Sequence, residues 1–597
     1  MIKHSMKSAI KPLCLFVGLA LAQSAAAVTL DLSGSNFYMK FLDGSQRGAP
    51  SGSIDTASGG DQGQFTELNL VFKATISPKV EAGGRIQSRS SAAYWTEFGG
   101  FGLENSVGNN EVNHQKFTKL RGAYVELSPG YDWLTQVRIG TSDWGMFDPF
   151  TVGKVRYIDR DNYNGLYFRG PLTDESTWEF ARVALPTYLQ FNYGQGPTCC
   201  STDSTQYNEA VNIAQFKVPL GDARLAASYQ SFVDHKLGTP PADNFSGVSA
   251  TSFYKNTVLA LKAEGGAGDM LELRGAYYRS TSEPSQGAVG EVWGNTPMGN
   301  INGNAIKLDA DVTETAVDGL SFNFQYFNIG AGFFSTAAAR RESDVLLTEG
   351  SEAAWYNWGN ALWSGGATAD YTQGAASPKG RPGVPNGTQN GLTDNDFMDF
   401  NESPTESVVG WNGLTGVGKL DVADTPMSLE LTRVSYNNNW QNYATTGPLY
   451  NVFPVNQDRT TNIVAFKLNH NFDVMGGLDT NLKYKRVDDK DKVSTAIATD
   501  DRDVLDNGVT LSVGNQLAAD LYGTLSYGRY IRDITVGANK FNNAKNIYGV
   551  RFAYNLPGFE FGMLSQWIQG NGNPTETVGA AAKIRQYRMK AYAQVNF

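Results

Sequence analysis

The sequence has few cysteines and histidines and no long apolar run beyond its first residues. Only three cysteines occur in 597 residues, and two of them, Cys199 and Cys200, are adjacent, which excludes a framework of crossed disulfides. After Ala22 no apolar stretch approaches the roughly 20 residues that a membrane-spanning helix needs. The sequence therefore excludes both a disulfide scaffold and a helical membrane protein.

The first 27 residues have the pattern of a secretory signal peptide. An apolar run from Leu13 to Ala22 is followed by small residues that supply an A-x-A cleavage site before Val28. The run is preceded by three lysines, Lys3, Lys7 and Lys11. Because Cys14 stands at the start of the run, where a lipoprotein would not carry it, we do not expect lipidation. We predict a signal peptide over 1–27 and a mature chain over 28–597.

The mature chain is acidic and rich in residues that favour strands and turns. Without its first 27 residues it holds 46 Lys and Arg against 59 Asp and Glu, a net charge near −13, so we do not expect nucleic acid as a partner. The 65 glycines, 32 phenylalanines, 28 tyrosines and 11 tryptophans favour strands and turns over helices. No proline-rich or serine-rich linker divides the chain, which predicts one large all-β domain.

The repeating unit of the chain is a hairpin with one apolar and one polar face. Residues 68–76 alternate between the two faces, a tight turn follows at Ser77-Pro78-Lys79, and residues 80–87 alternate again. Successive side chains of a strand point to opposite faces, so this pattern predicts a strand pair. The pattern recurs at 306–312 and 320–326, with further turns near 220, 266, 424, 475, 519 and 557.

About 22 candidate strands follow one another, and the gaps between them alternate between short turns and long polar loops. This asymmetry is typical of outer-membrane barrels, whose periplasmic turns are short and whose extracellular loops are long. Aromatic residues such as Trp133 and Trp567 lie near strand ends, where an interfacial girdle would place them. We therefore predict a transmembrane antiparallel β-barrel of about 18–22 strands, rather than a soluble sandwich, propeller or β-helix.

The last strand resembles a known class of strand. Its apolar face consists of Tyr587, Met589, Ala591, Ala593, Val595 and the terminal Phe597. Such a segment resembles the C-terminal strand of Gram-negative outer-membrane barrels, whose terminal aromatic residue is recognised by the assembly machinery. The resemblance implies that Phe597 is an assembly signal, that the outer-membrane assembly machinery is a partner, and that the protein is located in the outer membrane.

Short motifs between Val137 and Gly170 carry a second resemblance. They are Arg138-Ile139-Gly140, Trp144-Gly145, Tyr157-Ile158-Asp159-Arg160 and Gly165-Leu166-Tyr167. Together they resemble the alginate-export type of porin, although Thr141-Ser142 stands where further basic or amide side chains are expected. The resemblance implies a large porin. We expect the first strand at 28–41 with no plug domain before it, which argues against a TonB-dependent receptor.

The predicted lumen faces carry more bases than acids. The bases expected to line the pore are Lys73, Arg85, Arg89, Lys307, Lys467, Lys483, Lys485, Arg551, Arg588 and Lys590. Less regular strands add Lys119, Arg121, Arg138, Lys262 and Arg274, and the acids on these faces are Glu81, Glu272, Asp309, Asp311, Glu430 and Glu560. Lys and Arg rings in a pore favour anions. Alternatively, these bases pair with lumen acids or inward-folded loops and only keep the interior wet.

The acids are concentrated in the predicted loops. Residues 488–503 hold six aspartates against three bases, and the longest loop, about 330–410, holds ten acids against four bases. A loop of that length is usually functional, and we expect it either to constrict the pore or to shield the surface and bridge lipopolysaccharide through divalent cations. Cys199-Cys200 lies in another outer loop, which a vicinal disulfide would stiffen. Calcium binding is the lesser alternative to solvated carboxylates at Asp394, Asp396, Asp399 and Glu402.

These features predict an outer-membrane porin for the passive diffusion of small hydrophilic solutes, with a preference for anions. An export channel for an anionic polysaccharide would share the basic lumen, whereas a sheath around a multihaem cytochrome, an adhesin or a receptor would be closed. Expected partners are outer-membrane lipid and lipopolysaccharide, the assembly machinery and small anionic solutes. We expect no enzyme, cofactor or metal site, because His114, His235 and His470 accompany no catalytic motif and no C-x-x-C-H occurs.

Overall fold

The computed structural model describes the strands between residues 29 and 597 and parts of their connections. The described residues are 29–47, 63–89, 117–142, 144–148, 150–152, 163–184, 207–236, 254–268, 270–284, 301–313, 315, 317–330, 333, 335, 411–436, 457–474, 476–493, 502–572 and 582–597. The predicted signal peptide, Cys199-Cys200 and the carboxylates at 394–402 lie outside them. None of the described residues belongs to a helix long and apolar enough to cross a membrane.

Every regular element among the described residues is a β-strand, as the alternating pattern predicts. The 23 strands are β1 (Thr29–Asp31), β2 (Asn36–Arg47), β3 (Gly63–Ser77), β4 (Val80–Arg89), β5 (Phe117–Leu127), β6 (Gln136–Ser142), β7 (Tyr163–Pro171), β8 (Thr177–Ala184), β9 (Tyr207–Leu220), β10 (Ala223–Lys236), β11 (Tyr254–Ala267), β12 (Leu271–Pro284), β13 (Ile301–Val312), β14 (Leu320–Ile329), β15 (Trp411–Val422), β16 (Thr425–Tyr436), β17 (Gln457–Phe472), β18 (Leu478–Val493), β19 (Arg502–Ala518), β20 (Leu521–Val536), β21 (Asn539–Leu556), β22 (Phe559–Gly572) and β23 (Ala582–Asn596).

The strands close into one antiparallel barrel. From β2 onward each strand pairs with the next, and β2 also pairs with β23, so no edge is left open. Both β1 and β2 pair with β3, so they share one position and the barrel has 22. The predicted first strand at 28–41 is therefore broken, at a turn where Gly34 has a φ of 88° and the Ser35 hydroxyl donates to the Val71 carbonyl.

The connections confirm the predicted asymmetry between the two ends of the barrel. At one end they are 2 to 8 residues long, and at the other they run from 8 to 81 residues with one exception. The exception is the turn at Gly537-Ala538 between β20 and β21, where Gly537 adopts a φ of 57°. By the rule for outer-membrane barrels, the short turns face the periplasm and the long loops face outward.

The two faces of the wall differ as the sequence predicts. On β11, Leu259 and Leu261 are 41% and 48% exposed on the outside, whereas the alternating Val258 and Ala260 are at most 1% exposed on the inside. The apolar outer face meets lipid and the inner face lines the lumen. The interior is therefore packed at some positions, rather than being an open channel along its whole wall.

The wall is much taller on one side than on the other. Strands β17 to β21 have 16 to 18 residues, whereas β6 to β8 have 7 to 9. At about 3.4 Å per residue and a tilt near 40°, the long strands rise roughly 40 Å, which exceeds an apolar band of about 25 Å. The expected acidic loop at 488–503 is wrong in its bounds, because residues 488–493 and 502–503 belong to these extended strands.

Candidate functional site: the lumen wall and its inward segment

The connection between β6 and β7 folds into the lumen, and we call residues 144–152 the inward segment. Trp144 is fully buried and has a φ of 53°, a left-handed conformation that is rare for a bulky residue. It packs with Phe147 and Val152 against inner-face side chains of β7 to β10, including Tyr167 and Val211. Such a strained backbone conformation persists only where the surrounding structure fixes it. Trp144 is therefore held in place by its packing against the wall.

The carboxylate of Asp148 fixes the middle of the inward segment. It is 6% exposed and accepts a hydrogen bond of 3.1 Å from the Tyr278 hydroxyl of β12. It also accepts 2.8 Å from the Phe150 amide of its own segment and forms an ion pair with Lys262 of β11. Because these donors come from two neighbouring strands and from the segment, the carboxylate ties the segment to the wall.

The start of the long connection after β14 lies on the inward segment. Phe150 stacks on Tyr278 with ring centroids 5.0 Å apart and contacts Phe333 at 6.3 Å. The Ser335 hydroxyl donates to the Thr151 carbonyl at 2.8 Å and accepts from Gln230 of β10 at 3.2 Å. Phe333 and Ser335 therefore fold inward, whereas residues 336–410 of the predicted loop lie outside the described residues.

A cavity of about 570 Å³ lies between the inward segment and the wall formed by β9 to β13. Its lining combines aromatic rings with charges of both signs, among them Phe147, Asp148, Lys262, Arg274, Tyr278 and Lys307. Arg274 pairs with Glu272 at 2.9 Å and with Asp311. Since Lys307 also lies 3.2 Å from Asp309, this side of the lumen carries neutralised charge.

Several predicted pore-lining bases form ion pairs within the wall. Lys73 lies 2.7 Å from Glu81, Lys307 pairs as above, and Arg551 lies 3.4 Å from Glu560. Arg138 lies 3.2 Å from Glu126, a partner that the sequence did not single out. For these bases the structure supports the alternative interpretation, in which lumen bases and acids compensate one another.

Three lysines share one register row across neighbouring strands. Lys419 of β15 is opposite Ser428, which is opposite Lys467 of β17, and Lys467 is directly opposite Lys483 of β18. We call Lys419, Lys467 and Lys483 the lysine row. Their inner-face position follows from the alternating exposed partners, such as Leu429 of β16 at 43% exposure. Directly opposed like charges destabilise a sheet, so this arrangement is unusual for a purely structural wall.

The other predicted bases have different surroundings. Arg85 donates 2.8 Å to the Asn69 side chain, Lys590 lies 5.1 Å from the Tyr592 ring centroid, and Lys485 is only 2% exposed. The side chains of four further predicted bases lie outside the described residues, although their backbones are in β4, β5 and β23: Arg89, Lys119, Arg121 and Arg588. Lys485 is thus buried in the wall instead of facing an open lumen.

The inward segment is the part of the site that the sequence analysis missed. Its sequence contains Trp144, Met146, Phe147 and Phe150 within seven residues. That apolar content was the available signal, because a solvated loop seldom carries several large apolar side chains. Tyr278, which receives the segment, lies on the polar face of its strand and was visible only as a single aromatic residue there.

The described residues contain no group of three or more His, Cys, Asp or Glu side chains arranged to hold a metal ion. His470 lies near the β17–β18 turn, where its Nδ1 is hydrogen-bonded to the Thr425 hydroxyl of β16. The features that remain as a candidate functional site are therefore the inward segment, its cavity and the lysine row.

Closure of the sheet, the outward apolar face and the short-turn and long-loop ends define the chain as an outer-membrane type of β-barrel. No protein-family model and no curated protein matches the sequence. Solved structures match in fold at TM-scores below 0.5, a level at which the likeness carries no argument about function.

Three of these structures illustrate the range. OccK9 (OpdG) of Pseudomonas aeruginosa aligns over 95% of this chain and 99% of its own, at 9% identity and a TM-score of 0.34. The ferric preacinetobactin receptor BauA of Acinetobacter baumannii aligns over 95% and 80%, at 9% identity and a TM-score of 0.43. Wzi of Escherichia coli, a carbohydrate-binding β-barrel involved in capsule assembly, aligns over 76% and 80%, at 11% identity and a TM-score of 0.31.

Proposed function

We propose that the protein is an outer-membrane channel for small hydrophilic solutes and that it favours anions. The observation that carries the proposal is the lysine row on the inner face of β15 to β18. It narrows the broader prediction of a basic wall to one place, where two lysines of neighbouring strands are direct register partners. The proposal assigns no catalytic activity to the barrel.

The row favours anions because its charges are close together. Neighbouring strands lie about 4.8 Å apart. Lys467 and Lys483 lie on adjacent strands, and Lys419 lies two strands away from Lys467. Two unit charges about 4 Å apart interact by roughly 1 kcal/mol in bulk water and several-fold more near a protein surface. An anion passing between these ammonium groups would therefore relieve a repulsion as well as gain an attraction.

The inward segment supports selectivity by narrowing the lumen. Its packing and that of Phe333 extend over inner-face residues of β7 to β14 and reach Val434 of β16. The lysine row lies nearer the short-turn end than this contact area, because Ser428, which stands between Lys419 and Lys467, precedes Val434 by six residues on β16.

Reversal potentials in a planar bilayer under a potassium chloride gradient test the proposal. The unmodified protein is expected to prefer chloride, despite its acidic composition. The double variant Lys467→Glu, Lys483→Glu should lose or invert that preference, because it changes the charge of the row by four units. We choose these two lysines over Lys485, whose burial would make a glutamate variant prone to misfolding.

The matched control is Lys73→Glu, Lys307→Glu, which makes the same change of charge at two inner-face lysines outside the row, on β3 and β13. It should reduce the preference less than the variant of the row does. Equal effects of the two double variants, or a potassium preference in the unmodified protein, would contradict the proposal. A barrel that inserts but does not conduct would instead favour the sheath or receptor alternatives.

A further inference from the structure

Six strands carry an outward-facing arginine near the long-loop end of the barrel. They are Arg182, Arg279, Arg433, Arg486, Arg529 and Arg585. In each strand the residue two positions closer to the short-turn end is an aromatic residue or a leucine. Because side chains two positions apart share a face, each arginine follows directly after a large apolar side chain on the lipid-facing surface.

Cross-strand partners confirm that these side chains point outward. Arg279 lies opposite Leu259 of β11, which is 41% exposed, and Arg529 lies opposite Val509 of β19, which is 39% exposed. Five of the six arginines are exposed, and the partly exposed Arg182 donates 2.8 Å to Asn212. The arginines therefore form a belt on the outer surface that is separate from the lumen.

An aromatic row marks the boundary that this belt follows. Tyr527, Tyr548, Trp567 and Tyr587 are consecutive register partners across β20 to β23. The ring centroids of Tyr527 and Tyr548 are 5.3 Å apart, and those of Trp567 and Tyr587 are 5.6 Å apart. Tyrosine and tryptophan concentrate at the level of lipid headgroups. Arg529 and Arg585 lie on the same outward face as this row, two residues farther toward the long-loop end.

The belt occurs at only one end of the barrel. Among the strand residues whose side chains the structure describes, no Lys or Arg points outward from the short-turn half. An anchor for ordinary phospholipid would be useful at both interfaces, because both carry headgroups. A one-sided belt at the extracellular end fits a lipid that is confined to the outer leaflet and carries several phosphates.

We propose that the arginine belt binds the phosphate groups of lipopolysaccharide. Guanidinium groups hold phosphate through paired hydrogen bonds, and the adjacent aromatic and leucine side chains would pack on the first acyl carbons. The proposal concerns the outer surface, so it stands whether or not the lumen conducts anions. Each arginine at a membrane surface contributes on the order of fivefold in affinity.

Binding of purified lipopolysaccharide to the detergent-solubilised barrel, followed by native mass spectrometry, tests the proposal. The double variant Arg486→Gln, Arg529→Gln should weaken binding by about tenfold or more. The matched control Lys490→Gln, Lys540→Gln removes two outward charges from the same side of the barrel but farther from the apolar band, and it should stay within about twofold of the unmodified protein. Heat-modifiable migration on gels verifies that all variants are folded.

Two further measurements sharpen the result. Arg486→Lys, Arg529→Lys keeps the charge but loses the paired geometry, so it should bind with intermediate affinity. Dephosphorylated lipopolysaccharide should bind the unmodified protein and the glutamine variant equally. Unchanged binding by the glutamine variant would overturn the proposal. Equally tight, arginine-dependent binding of phosphatidylglycerol would also overturn it, because the belt would then recognise anionic lipid in general.

Discussion

One carboxylate, that of Asp148, holds the inward segment against the lumen wall. It combines a hydrogen bond from the Tyr278 hydroxyl, one from the Phe150 amide and an ion pair with Lys262. A buried carboxylate is tolerated only when its oxygens have such partners. Removing it leaves donors without an acceptor, at a cost of about 1–3 kcal/mol. That is enough to shift a locally packed segment toward detachment.

We therefore predict that Asp148→Ala loosens the inward segment while the barrel stays folded. Single-channel recordings should show a larger or more frequently fluctuating conductance than that of the unmodified protein. The control is Asp488→Asn, which removes a partly exposed ion pair with Lys490 at 3.8 Å on the outer face of β18. Such a surface pair contributes about 0–1 kcal/mol, so its loss should leave the recordings unchanged. Identical traces for both variants would show that Asp148 does not hold the segment.

Strand β23 closes the barrel by pairing on both sides. Its residues lie opposite β22 and opposite Asn36–Arg47 of β2, so the register of the closure depends on the correct insertion of this strand. Phe597 lies just beyond it, where its amide donates 3.0 Å to the Ser35 carbonyl and its side chain is 62% exposed. The mature barrel thus uses this residue for one hydrogen bond and little packing.

Deletion of Phe597 should slow assembly and leave the thermal stability of the finished barrel nearly unchanged. One hydrogen bond contributes about 0.5–1.5 kcal/mol, which is small for a sheet of this size, whereas recognition of a terminal aromatic residue would act before closure. The measurement is the rate at which heat-modifiable protein accumulates in cells. As a control, Phe561→Ala removes another exposed aromatic side chain near the same end and should not change the rate. A normal rate for the deletion would exclude an assembly role.

The barrel as a whole has a short-turn end and a long-loop end. The first strand begins and the last strand ends at the short-turn side, since Thr29 is opposite Thr75 and Asn36 is opposite Asn596. The long strands β17 to β21 exceed the apolar band, so part of this wall rises above the membrane surface. Backbone hydrogen bonds protect such extended strands from proteases, whereas loops lack this protection.

A protease added to intact cells should therefore cut within 336–410 and spare Ser77-Pro78-Lys79. Residues 488–493, which the sequence assigned to a loop, should resist cleavage because β18 pairs with β19 there. Mass spectrometry of the released peptides identifies the sites. Permeabilised cells supply the control, in which the short turns become accessible. Cleavage of intact cells at 77–79 would mean that the orientation of the barrel is the reverse of the one assigned here.

The sequence alone was sufficient for the strands, their faces and the position of the turns. The prediction succeeded because a wall between lipid and water makes apolar and polar residues alternate along each strand, and this alternation is local information. The turn expected near 424 is an example, since Ala423 and Asp424 both have positive φ angles there. At residues 488–493 the acidic composition indicated a loop, whereas the pairing of β18 with β19 shows that the strand continues there.

Tertiary structure decided what the lumen contains. Asp148 meets Tyr278 across 130 residues of chain, and Ser335 meets Thr151 across 184, so no local pattern could connect them. The pairing of Lys467 with Lys483 likewise depends on the register of two strands, and the acid partners of the other bases depend on their neighbours in the closed sheet. The sequence determined which residues face inward, whereas closure of the barrel determined which of them meet.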